Sequence, residues 1–255
     1  MLTSHSTPHP ATHHLRRNLL KVLAVGTLKA STVGAGLAGL IGQVLAAGSG
    51  PHRKQGIYRL EGEATFNGKT LKVGDIPTLP VTVVTGPETL LVFVIAADAY
   101  LVRANSHLVL QANAGKSTDA TPEISRVESI KLISGKLLSV FEKGERRITT
   151  RTAVAGIRGT GIYLESEPAR TYACLCYGSA EMGPIDAPQQ REQIQTTHHE
   201  SPRWITRTGM KPAKMINHTD DELILLESLT GRVPPFFKAW ANEENLLTDQ
   251  INNRY

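Results

Sequence analysis

Two cysteines stand one residue apart, Cys174-Leu175-Cys176, and they are the only two in 255 residues. Tyr172, Ala173 and Tyr177 around them favour a strand, in which residues two apart point to the same side. Both sulfurs then lie together. A disulfide between them is awkward, because extended i, i+2 Cα atoms sit about 6.5–7 Å apart, at the bridging limit. A secreted disulfide scaffold would also carry more cysteines at wider spacing. Two parallel thiolates are suited instead to a soft or borderline metal such as Zn²⁺ or Cu(I).

A tetrahedral site needs two more ligands. His198-His199 follows after a loop, at a distance that lets the chain return beside the cysteine strand. Adjacent histidines on a strand face opposite sides, so only one joins the thiols unless the chain bends there. His218, just before a helix, is the reserve ligand. The alternative is that both cysteines are small buried hydrophobes. Idle thiols are a liability in an oxidising compartment, which favours the metal.

The remaining motifs point away from catalysis. Gly156-Ile157-Arg158-Gly159-Thr160-Gly161 imitates a phosphate loop, but no helix follows it to hold a phosphate. No Gly-x-Ser-x-Gly elbow occurs. Asp220-Asp221-Glu222 reads as helix capping before it reads as acid–base chemistry. Trp204, Trp240, Phe236 and Phe237 read as packing of a C-terminal extension onto the core.

The elements that must position these residues are strands. Short apolar or alternating runs recur from residue 57 to about residue 205, with turn residues between them. Asn67-Gly68 suits a tight hairpin, and a strand resumes at Leu71 and Val73. Residues 90–96 are continuously apolar, as in a strand buried on both faces. Glycines divide the later runs: 127–133 from 137–141, 153–157 from 162–167, and 170–177 from 179–182. No βαβ rhythm appears. The expected fold is mainly β, a multi-stranded sandwich, roll or solenoid-like stack. Thr219 and Glu222 form a capping box that opens a short C-terminal helix, with Leu223, Leu226 and Leu229 on one face and Gly231 past its end. A second short helix is expected within residues 236–247.

The first 46 residues hold Arg16, Arg17, Lys21 and Lys29 and no acidic residue. The paired arginines, the following apolar pair and Lys21 make a twin-arginine-type export signal over residues 1–47, ending at small residues. An uncleaved membrane-anchoring helix is the alternative. The net charge of +5 falls to about +1 without this leader, since 28 basic residues become 24 against 23 acidic ones. That balance excludes a strongly basic nucleic-acid binder. Twin-arginine export carries folded proteins, often with a cofactor already loaded, which agrees with a bound metal.

Residues 81–163 resemble the FecR domain. Four pieces carry the resemblance: Val84-Thr85-Gly86, the run from Val102 to Leu108, the run from Ile130 to Leu137, and the run from Thr152 to Tyr163. The last looks like the family's closing glycine–threonine–aromatic signature. The resemblance implies an all-β periplasmic fold and a binding or signalling role rather than catalysis. It also implies pairing of the Cys-x-Cys-Tyr-Gly stretch with the His-His pair. Only about 15 residues precede the twin arginines, too few for the sigma-factor-binding segment of signalling members, so that role is not carried over.

The expected layout is therefore a leader over 1–47, a FecR-like β domain over 55–205 and a helical extension over 217–249. The expected function is an exported binding or signalling module of the cell envelope. It carries a structural metal and no catalytic site. Its partner is an envelope protein or other envelope component, not nucleic acid, and the membrane only if the leader stays attached. The competing reading is a periplasmic accessory protein that delivers a soft metal or takes part in redox chemistry through Cys174 and Cys176.

Overall fold

The computed structural model describes residues 55–112 and 126–237. The export signal and the expected second helix beyond residue 237 lie outside the described residues.

Among the described residues, fourteen strands form one continuous, mostly antiparallel sheet. In chain order they are β1 (Gly56–Glu61), β2 (Ala64–Phe66), β3 (Lys69–Thr70), β4 (Val81–Thr85), β5 (Leu90–Ile95), β6 (Asp98–Val102) and β7 (His107–Gln111). Then come β8 (Ser129–Val140), β9 (Glu145–Thr149), β10 (Ala153–Ser166), β11 (Thr171–Pro184), β12 (Glu192–Thr196), β13 (Arg203–Ile205) and β14 (Met210–Pro212). A helix, α1 (Asp220–Leu229), follows. Among the described residues no helix is long and apolar enough to cross a membrane.

The expected mainly β fold with a short C-terminal helix is found, but three strand pairs read as separate are single long strands. β8, β10 and β11 each run through their dividing glycine. Each changes neighbours there. The first part of β8 pairs with β7 and β9, and the last part with β6 and β10. β10 pairs first with β9 and then with β8. β11 pairs first with β13 and then with β12. The sheet thus divides into two wings that share three strands. Gly135 sits at the β8 bend with φ 89°, and a Cβ there would stand 2.2 Å from Ser106 Oγ. The positive φ and the close approach both require glycine.

The core lies between the wings. It takes Val83, Leu108, Leu132 and Ile157 from the first wing and Leu91, Tyr100, Leu164 and Leu175 from the second. Phe66 of β2 meets Phe93 of β5 edge-on at 5.5 Å, directly across the layers. Period-2 alternation sends Leu101, Leu138, Tyr163, Cys174 and Cys176 to the outer face of the second wing. These are buried too, because the C-terminal segment covers them, with α1 against β6 and β8. That double burial explains why β5 is continuously apolar.

Two local differences have simple causes. The strand expected through Leu71 and Val73 stops at Thr70, because the chain turns at residues 72–75, where Lys72 N–H donates to Asp75 Oδ2 at 2.8 Å. Sheet pairing runs to Pro212 through β14, past the expected boundary at residue 205. The Asn67-Gly68 hairpin is present, with both residues at positive φ.

Candidate metal centre

β11 places Cys174 and Cys176 on its outer face, and each is 0% exposed. β12 runs antiparallel to β11 and ends at Thr196. A tight turn follows. Glu200 fixes it by accepting from the N–H of Thr197 at 2.8 Å and of His198 at 2.9 Å. His199 takes φ 60°, and its N–H donates to Cys176 C=O at 3.0 Å. That left-handed residue swings the His199 ring onto the thiols, with Nδ1 3.5 Å from Cys174 Sγ. His198 turns the other way, and its ring stacks on Phe236 at 4.4 Å.

The fourth member comes from the segment before α1. Tyr172 O–H donates to Lys214 C=O at 2.9 Å and accepts from Ile216 N–H at 3.2 Å. Asn217 donates to the buried Glu165 at 2.7 Å. These bonds pin the segment to the sheet. His218 then stacks on Tyr163 at 4.5 Å, with Nε2 3.1 Å from His199 Nδ1. Thr219 caps α1 in the expected box with Glu222, and Arg103 holds Glu222 at 2.8 Å.

Cys174, Cys176, His199 and His218 therefore converge, with their ligand atoms all within 4.8 Å of one another. Bonds of about 2.3 Å to sulfur and about 2.0–2.1 Å to nitrogen give tetrahedral edges of about 3.3–3.8 Å. The observed 3.1 and 3.5 Å lie close to that range. Of the five residues singled out from sequence, His198 is outside this set and the reserve, His218, is in it. The chain does bend at this pair, and it is His199 that faces the thiols while His198 lies against Phe236.

Hydrogen bonds assign the tautomers. A carbonyl only accepts, so His218 Nδ1–H donates to Ile216 C=O at 2.7 Å, leaving a lone pair on Nε2. His199 Nε2–H donates to Asp220 Oδ1 at 3.0 Å, leaving a lone pair on Nδ1. The two lone pairs then point at each other beside two thiols. A donated proton or a metal ion between them relieves the repulsion. The electrostatics agree. The hydrogen bond from Cys176 draws the Cys174 pKa far down; burial opposes this, and His199 and His218 reinforce it. Burial pushes the Cys176 thiol up. Burial pulls His199 down, but Cys174 and then Asp220 outweigh it and leave its pKa raised. The two shifts run the way a thiolate–imidazole pair or a shared cation requires: Cys174 is pulled toward the thiolate and His199 toward holding a positive charge.

Asp220 and Glu200 escaped the sequence reading. Asp220 was already explained by its place in the first turn of α1, and nothing local reveals that it lies beneath two imidazoles. A cleft of about 620 Å³ elsewhere is lined by Arg147, Arg158, Arg191, Glu145, Glu181 and Ser179 among others, and shares no residue with the cluster. Its charges are largely paired internally, as Arg158–Glu145 and Arg191–Glu181.

No protein-family model and no curated protein matches the chain. Two crystal structures of a provisionally assigned anti-sigma factor from Parabacteroides distasonis, at 2.50 and 1.65 Å resolution, overlap it with a TM-score of 0.38. Identity is 10% and 9%, over 52% of this chain and 60% of that one, less than two thirds of its length. A likeness of that size assigns neither a family nor a partner.

Proposed function

We propose that this chain is an exported binding or signalling module of the cell envelope in which Cys174, Cys176, His199 and His218 hold a structural Zn²⁺. One observation carries the metal half. Four donors of the right types converge, and two of them present lone pairs to the same point at 3.1 Å. Two thiolates and two imidazoles form a common closed zinc set. Both unliganded ring nitrogens have partners, the Ile216 carbonyl and the Asp220 carboxylate, as is usual for ligating histidines. Complete burial of both sulfurs favours a structural ion over one that is handed on.

The envelope half rests on the twin-arginine pattern and on the FecR-like motifs. The most specific of these, residues 152–163, forms most of β10 and supplies Tyr163 beneath His218. The partner would be an envelope protein or other envelope component.

Elemental analysis of the purified protein tests the metal, with a Cys174→Ser/Cys176→Ser variant beside it. The parent should hold about one equivalent of tightly bound zinc and the variant none. Less than about a tenth of an equivalent in the parent ends the reading, given the affinities of structural zinc. Labile Cu(I) in its place would turn the reading toward metal delivery. Replacing Arg16 and Arg17 by Lys should abolish export, read by cell fractionation, and an unchanged location would sink that half.

A further inference from the structure

We propose that His198, His199 and Asp220 form a second cation site, open to solvent and joined to the inner one through the His199 ring; this rests on the zinc reading of the inner cluster. His199 divides its ring between two sets of donors. Nδ1 faces the thiols and His218, while Nε2 lies 3.0 Å from Asp220 Oδ1. His198 Nε2 lies 2.9 and 3.0 Å from the two oxygens of the same carboxylate. The carboxylate thus offers either oxygen to a cation set between it and the two rings. The three donor atoms lie within 4.8 Å of one another.

The donors are held before any ion arrives. His198 is stacked on Phe236, His199 is tied to Cys176 C=O, and Asp220 begins a capped helix. Two imidazoles and a carboxylate suit a borderline divalent cation such as Zn²⁺. The side chains of His198 and Asp220 are 32% and 27% exposed, which leaves a coordination position for water. Neutral His199 carries its one N–H on Nε2. The second ion takes that nitrogen, the proton passes to solvent, and the ring becomes an imidazolate shared by two cations. The positive end of α1 opposes a cation beside Asp220, so the outer ion is bound more weakly than the inner one.

Full-length protein titrated with Zn²⁺ alone tests this, with bound metal measured before and after dialysis. The parent should take about two equivalents and keep about one through dialysis. His198→Ala and His198→Gln should each take only the inner equivalent, with the fold checked by circular dichroism. Saturation of the parent at one equivalent, or a second equivalent that survives in both His198 variants, overturns the outer site. If that one equivalent also disappears in Cys174→Ser/Cys176→Ser, the inner reading stands while the outer one falls. A parent that binds no zinc overturns both.

Discussion

At the scale of single residues, the turn that aims His199 hangs on the Glu200 carboxylate. Slight burial pushes its pKa up, but the Thr197 hydroxyl and three backbone N–H groups outweigh that and leave it at about 2. A carboxyl pKa lowered by folding adds stability that is complete above the ordinary carboxylate range and disappears as pH falls through the folded value. Glu200→Gln should therefore lower stability by a constant amount at neutral pH. The gap to the parent should close between about pH 5 and about pH 2 in denaturant titrations. A gap that ignores pH would show that the charge does not hold the turn. The Cys pair was legible in the sequence because period-2 alternation fixes its side. Which of the two histidines joins it was not, since that depends on a left-handed φ at His199 that no side-chain pattern announces.

At the scale of elements, α1 was readable because its signals are local. Thr219, Glu222, the leucines and Gly231 lie within thirteen residues and act on one another. The long strands were misread for the opposite reason. Glycine normally ends a strand, and only the three-dimensional pairing shows that β8, β10 and β11 continue past theirs. Gly135→Ala tests the bend in β8. Its Cβ would collide with Ser106 and sit at positive φ, so overpacking and strain should together cost ~3 kcal/mol or more. Gly68→Ala meets nothing within 4 Å and should cost only ~1 kcal/mol for its φ. Chemical denaturation of the two variants gives the comparison, and equal losses would mean that the bend is not a constraint.

At the scale of the whole molecule, the cluster ties together three distant stretches: β11, the turn after β12 and the segment before α1. If the proposed zinc is bound there, at 100 times its Kd it would contribute about 2.7 kcal/mol to stability. Chelation should then lower Tm by roughly 5–10 °C for a domain of this size. The loss should be uneven. A ten-residue helix is marginal on its own, so amide exchange should quicken first in residues 213–229. The shared strands should stay protected. Uniform loosening on chelation would count against a role of the ion in fastening α1.

Three strands that serve both wings also make the protein indivisible. Here every cut that separates the wings passes through hydrogen-bonded backbone of β8, β10 or β11. The motif-bearing stretch over residues 81–163 ends inside β10 and lacks β11, so a fragment with those limits would leave one edge of β10 bare and would lose Cys174 and Cys176 with β11. A piece meant to stand alone has to carry all three shared strands and the strands paired with them, β1 through β14, whatever boundary a shorter motif suggests.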